Sequence, residues 1–326
     1  MTGGARGWGR IGVLALLWGS TFLWIELALR TFTPVQVTVA RCVLGATTLL
    51  VGCLAGGRRL PRGRLVWTHL TVAALFCNAL PFALFSIGQR SIDSGLAGVL
   101  NATTPLWSLL IGVLIGTERG PRPVRLVGLL LGFVGVALIF APWRTGGAVG
   151  PGALAVLVAA ASYAVGFAYV GRYLVGRGVP TISLSAGQLV VATGLTVPLL
   201  PTGGPVPVHV GPVGLAAVLV LGVVATGVTF HLTYRIIAAE GATDAATVGY
   251  LLPVVSVALG AVVLGEAVGL RVVAGMAVVL VGVALTRRTG TAPPSVRSGG
   301  PLRPSDRTLT GTGTRPARAP LAERRR

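Results

Sequence analysis

Apolar residues run through this chain in blocks of about twenty, too continuous for strand alternation and long enough for membrane helices. The blocks fall near 11–29, 35–56, 65–87, 93–116, 123–141, 152–172, 181–200, 211–237, 243–264 and 269–286. Glycine and proline punctuate the gaps, as at Gly56-Gly57, Pro121, Gly146-Gly147, Pro180 and Gly203-Gly204. Ten spans are the expectation, although the turn between the ninth and tenth is so short that nine or eleven crossings stay open. The first block follows Arg6 and Arg10 but has no small-residue cleavage site, so it reads as an uncleaved first span rather than a signal peptide. Residues 287–326 hold no apolar stretch and read as a disordered, Arg-rich cytoplasmic tail.

The pattern is written twice. Asn101-Ala-Thr-Thr-Pro105 runs through an apolar block to Glu118, and Gly249-Tyr-Leu-Leu-Pro253 runs through another to Glu266, with both Pro and Glu offset by 148 residues. Val134-Gly-Val-Ala-Leu138 recurs as Val281-Gly-Val-Ala-Leu285. A cytoplasmic segment 1–10 therefore precedes a five-helix repeat at 11–141 and a second at 152–286. An odd number of spans per repeat makes the second insert upside down relative to the first. The expected fold is an all-α integral membrane protein with ten transmembrane helices as two inverted five-helix repeats. Such a duplication points to a transporter fold, in which two related halves surround one central site.

Charge supports the count. The chain is 53% hydrophobic and 11% charged, with a mean hydropathy of +0.83, against about 25% charge for a soluble domain. Its net charge of +19 comes from 27 arginines and no lysine. With the N-terminus in the cytoplasm, twelve arginines before the tail fall on cytoplasmic segments and four (Arg30, Arg90, Arg144, Arg271) on outside turns. That places both termini on the cytoplasmic side of a bacterial inner membrane. The tail arginines suit anionic headgroups of membrane lipids. No basic helix or aromatic-basic interleaving supports a nucleic-acid partner. Cys42, Cys53 and Cys77 lack CxxC spacing and read as apolar filler, and no metal or cofactor is expected.

Trp18-Gly-Ser-Thr-Phe22, Arg41, Pro105, Glu118, Gly128 and Gly135, followed by Ser162-Tyr163-Ala164, Thr226, Pro253, Gly265-Glu266 and Gly282, together resemble the EamA family of the drug/metabolite transporter superfamily. The likeness covers roughly residues 10–287. Thr117 departs from it, where the family often has Leu before the glutamate. The resemblance implies ten helices in two inverted repeats around a central cavity. It also implies export of small metabolites, often amino acids or related compounds, or drugs.

Polar residues inside spans are costly and usually face the bundle interior. Arg41 is the clearest case, and Glu26 is its expected partner. Either Arg41 holds a substrate carboxylate or exchanges partners during transport, or the pair is permanent and structural, or Arg41 snorkels outward. The repeat aligns Trp18, Phe22 and Trp24 with Tyr163, Phe167 and Tyr169. It also aligns Arg41 with Gln188, and Asn78 and Phe82 with Thr226 and Phe230. Such a set suits a pseudosymmetric cavity lining, or else shared ancestry with no retained role. Pro105 and Pro253, read as mid-helix, are expected to free the carbonyls of Asn101 and Gly249, near Thr104 and Tyr250. A kink that only shapes packing is the alternative.

Ser20, Thr21, Thr229, His231 and Tyr234 complete the polar set, with Ser20 and Trp24 sharing a face. Glu26 and His231, the latter taken as the only intraspan histidine, are the candidates for proton coupling; a packing histidine is the plainer use. Glu118 and Glu266 oppose their helix dipoles and are expected to pair with Arg122, Arg125 or Arg271. Gly128 and Gly132 form a GxxxG for internal packing, or for a homodimer face. The expected substrate site comprises Trp18, Ser20, Trp24, Glu26, Arg41, Asn78, Phe82, Asn101, Pro105, Tyr163, Gln188, Phe230, His231, Tyr250 and Pro253.

The reading is alternating access for a small-molecule substrate near the midplane, among spans 1–4 and 6–9, with spans 5 and 10 supporting from outside. A membrane-embedded enzyme on a lipid-linked substrate is the second reading, and it lacks HExxH, CxxC, GxSxG and paired-carboxylate metal motifs. A channel is the third, and one pseudosymmetric chain supplies little of a filter ring. No Walker A sequence is present, so ATP does not drive transport.

Overall fold

A computed structural model describes residues 4–92, 94–114, 123–141, 143, 150–205, 211–252, 254, 255 and 269–288. Pro253, Glu118, Glu266 and the tail lie outside these residues. The described chain is helical. Helices α1 (Gly4–Gly19) and α2 (Thr21–Leu29) are followed by α3 (Pro34–Ala55), α4 (Arg64–Ala74) and α5 (Leu80–Gly88), and then by α6 (Ser94–Asn101), α7 (Thr104–Leu114) and α8 (Pro123–Phe140). The second half contributes α9 (Pro151–Tyr173), α10 (Thr181–Thr196), α11 (Pro212–Leu219), α12 (Thr229–Glu240), α13 (Ala242–Thr247) and α14 (Leu270–Arg288). Seven helical stretches among the described residues are long and apolar enough to cross a membrane, and Pro123–Ile139 and Leu270–Thr286 are shorter apolar helices.

Local chemistry sets the boundaries. Thr33 accepts from Gln36 N while Gln36 reaches back to Thr33 N, with Pro34 in the first turn of α3. Pro151 and Pro212 open α9 and α11 in the same way. Gly241, at φ 100°, lets the chain turn from α12 into α13.

Several expected helices are interrupted. The first span is interrupted at Ser20, whose hydroxyl donates to Leu17 O at 3.0 Å. The fourth breaks at residues 102–103. Pro105 is therefore the second residue of α7 rather than a mid-helix kink. The Asn101 carbonyl is not left open, because it accepts the Thr104 hydroxyl at 2.7 Å. In the second half, a 3₁₀ turn over Val248–Tyr250 interrupts the chain at the corresponding place. The third and eighth spans each carry a π-helical stretch, Leu75–Ala79 and Val220–Val228, also at corresponding positions. Pro81 follows the first and has no N–H for the carbonyl of Cys77. The eighth span continues to Glu240, beyond its expected end.

Helices α8 and α14 pack at glycine. A methyl group added at Gly128 would meet Gly282 O at 2.8 Å, and one at Gly135 would meet Gly275 O at 2.8 Å. As residue number rises along α8 it falls along α14, so the two helices are antiparallel. The 147-residue offset of the repeated Val-Gly-Val-Ala-Leu carries Gly128 onto Gly275 and Gly135 onto Gly282, so each contact is the image of the other. Gly132 lies against the Tyr250 ring, whose hydroxyl donates to Leu129 O at 2.9 Å. The GxxxG is thus spent inside the protein.

Candidate functional site

A cavity lies where helices of both halves meet. Trp18, Thr21, Phe22 and Ile25 line it from α1 and α2, Arg41 from α3 and Phe85 from α5. Asn101 and Thr104 flank the break between α6 and α7, while Tyr163 and Phe167 come from α9 and Phe230 from α12. Ala246, Gly249 and Leu252 complete the wall from α13 and the turn after it. Trp18 stacks parallel to Phe167 with ring centres 6.2 Å apart. Tyr163 stands 5.7 Å from Phe167 and 5.8 Å from Phe85, and Phe22 meets Phe85 edge-on at 5.7 Å. These rings make an apolar shell with few polar groups, the usual composition of a small-molecule pocket.

The charge in this shell is Arg41, 3% exposed. Its Nε donates to Thr226 Oγ1 at 3.2 Å, and its guanidinium carbon lies 3.8 Å from the centre of the Phe82 ring. Among the described residues no carboxylate pairs with it, and its two Nη groups make no hydrogen bond. The expected Arg41–Glu26 pair is therefore corrected: Glu26 pairs with Arg30 at 3.5 Å, one helical turn away and 46% exposed. Arg41 does not snorkel to the surface either.

Beside this centre, Gln188 Nε2 donates to Asn78 Oδ1 at 2.5 Å, and the Tyr234 hydroxyl donates to Gln188 Oε1 at 2.5 Å. Offsets of 147 and 148 residues carry Arg41 onto Gln188 and Asn78 onto Thr226, so Gln188–Asn78 is the image of Arg41–Thr226. Between them Phe82 meets Phe230 edge-on at 5.9 Å, and these two residues are images of each other. The images differ in one respect that matters. Gln188 spends its amide on protein partners, while Arg41 keeps most of its donors for the cavity.

Of the expected site residues, the structure brings Trp18, Arg41, Asn101, Tyr163 and Phe230 to the cavity wall. Phe82 stands against both Arg41 and Phe230, while Asn78 and Gln188 bond to each other and do not line the cavity. Ser20, Trp24, Glu26, Pro105, His231 and Tyr250 do not line it. His231 is half-buried, and its Nδ1 has no hydrogen-bond partner among the described residues. It is not the only intraspan histidine. His69 also lies in a span, bonded through Nδ1 to the Tyr169 hydroxyl at 2.7 Å and stacked on Tyr173. A buried carboxylate lies elsewhere: Asp244, in α13, is 7% exposed and pairs with Arg125 at 3.8 Å. Arg125 is correspondingly buried rather than exposed in a turn.

Ile25, Phe85, Ala246 and Leu252 are wall residues that sequence reasoning missed. Ile25 was findable, since Trp18, Thr21, Phe22 and Ile25 recur at helical spacing on one face. Phe85 is an apolar residue among apolar residues, and Ala246 and Leu252 carry no signal at all.

The profile of the EamA-like transporter family matches residues 10–141 and again 150–288. A protein of Archaeoglobus fulgidus named an uncharacterized transporter is 25% identical over 289 residues, covering 86% of this chain and 98% of its own. The uncharacterized transporter YdfC of Bacillus subtilis is 25% identical, covering 83% and 87%. YedA of Escherichia coli, named an uncharacterized inner membrane transporter, is 26% identical over half of this chain and 53% of its own. A solved crystal structure superposes with a TM-score of 0.71 at 22% identity, covering 86% of this chain and 96% of the other, which shows the fold alone. The duplicated family match, the membrane-length helices and the shared cavity lead to one assignment: this chain belongs to the EamA-like transporter family and is a multi-pass membrane transporter.

Proposed function

We propose that the protein exports small organic metabolites bearing a carboxylate or similar anion, by alternating access between two inverted five-helix repeats in the bacterial inner membrane. The observation that carries this reading is Arg41: a buried cation at a cavity wall, held by one neutral hydrogen bond and an aromatic face, with no carboxylate partner among the described residues. Holding a lone charge inside a membrane protein is costly, and an anionic solute entering the cavity offsets that cost. Trp18, Tyr163 and Phe167 then cover the apolar part of the solute. The antiparallel α8–α14 contact and the paired images Arg41–Thr226 and Gln188–Asn78 support inverted repeats. Two related halves give two related conformations, one open to each side. Export and the inner membrane rest on the family and on the name of YedA.

The test compares metabolites in the medium of cells expressing wild type and Arg41→Ala at matched membrane levels. A carboxylate-bearing compound that accumulates outside only with wild type supports the reading. Identical media remove the export claim.

A further inference from the structure

One end of the cavity is closed by polar contacts that its image at the other end cannot make. Along α7 the cavity wall stops at Thr104; one turn further, Ser108 is buried and donates to Thr243 Oγ1 at 3.4 Å. Along α13 the wall begins at Ala246 and continues away from Thr243 through Gly249 and Leu252. The Ser108–Thr243 contact therefore seals the two helices together just past the cavity floor. Leu14 and Tyr234, each about one turn past a wall residue of its own helix, are fully buried there too. Asp244, next to Thr243, pairs with Arg125 of α8 at 3.8 Å, with side chains 9% and 6% exposed. A buried ion pair gains little net stability over an apolar contact, but removing one partner is strongly unfavourable. Such a pair is well suited to hold one packing against another.

The repeat offsets, 147 residues at α8 and 148 at α13, carry Arg125 onto Val272 and Asp244 onto Leu96. The equivalent positions at the opposite end are thus aliphatic. Arg271, next to Val272, donates to a backbone carbonyl, Leu138 O, at 2.8 Å.

We propose that the Arg125–Asp244 pair is a one-sided latch, holding the α7–α13 end of the cavity shut and making the two access states of the transporter unequal in population. Exchange through the opposite state requires the pair to separate, and no ion pair between the corresponding residues forms in return. The resting molecule is therefore biased toward the arrangement seen here, without any ligand. The latch rests on the alternating-access reading.

The experiment uses the full chain in lipid nanodiscs, where both faces are reachable, with Cys42, Cys53 and Cys77 replaced by Ala. A single reporter, Ser108→Cys at the latched end or Ile25→Cys toward the other, is labelled with a hydrophilic maleimide. The latch predicts that Asp244→Asn raises the Ser108→Cys labelling rate by about tenfold and lowers that of Ile25→Cys, because a two-state equilibrium moves as a whole. The charge-swapped double variant, Arg125→Asp with Asp244→Arg, returns both rates toward wild type. Unchanged rates in Asp244→Asn overturn the proposal. So does a rise at both reporters, which marks general loosening rather than a shift between states. A protein whose efflux depends on Arg41 but whose labelling ignores Asp244→Asn loses the latch alone; a protein without Arg41-dependent efflux loses the transport reading itself.

Discussion

Arg41 Nε donates to Thr226 Oγ1 across 3.2 Å, joining α3 of the first half to the π-helical stretch of the second. The same contact recurs with the halves exchanged, as Gln188 to Asn78. A duplicated gene has thus kept one hydrogen bond twice while placing a charge in only one copy.

The uncharged copy is the better place to measure what the network contributes to stability. Gln188→Leu strips the Tyr234 hydroxyl and the Asn78 amide of their partner, and both groups are fully buried. Each unsatisfied buried group costs about 1–3 kcal/mol. The purified variant should melt well below wild type in detergent, by several degrees; an unchanged melting temperature would show that the network is slack.

The α8–α14 seam gives a second stability test. Gly282→Ala forces a methyl group against Gly132 N and Gly128 O, both backbone, with nothing flexible to yield. Overpacking of this kind costs about 1–3 kcal/mol. Gly194→Ala is the control, because a methyl group there meets nothing within 4 Å, and a helical alanine gains up to about 1 kcal/mol. The two melting temperatures should move in opposite directions.

Much of this was legible from the residues. The apolar blocks gave the helices, and the doubled Pro and Val-Gly-Val-Ala-Leu motifs gave the pairing of positions, including Arg41 with Gln188 and Asn78 with Thr226. The breaks at Ser20 and at 102–103 were hidden, because they fall inside continuously apolar runs where periodicity has nothing to report. Partner choice was hidden too. Glu26 was the nearest carboxylate to Arg41 by inspection, but helix α2 turns it toward Arg30, one turn along the same face. Asp244 was overlooked because it sits at the edge of a span, where sequence alone suggests a surface turn. Only the packing of α13 against α7 and α9 buries it.

Glu26 now yields a prediction opposite to its sequence reading. Half-exposed and paired with a neighbour on its own helix, it has no place at the cavity wall. Glu26→Gln should leave transport at wild-type rate across the pH range, and its stability within about 0.5 kcal/mol. A flattened pH–rate profile in this variant would return Glu26 to the mechanism as a proton carrier.

Trp18 offers the largest ring of the aromatic shell and stacks on Phe167. Trp18→Ala should weaken apparent affinity for an aromatic or branched solute by about tenfold or more, the value of roughly 1.5 kcal/mol of lost ring contact, with less effect on a solute of only a few atoms. Concentration-dependent efflux with two solutes of different size measures that difference directly.

The central claim is that the charge of Arg41 recognises an anionic solute, and Arg41→Gln tests it most directly. Glutamine is the residue found at the image position, and it can still donate to Thr226 while carrying no charge. Efflux of the carboxylate identified with wild type should fall by about tenfold to a hundredfold, as expected for a lost charge-assisted hydrogen bond, while membrane level and melting temperature hold. Wild-type efflux from a well-inserted Arg41→Gln protein would contradict the account.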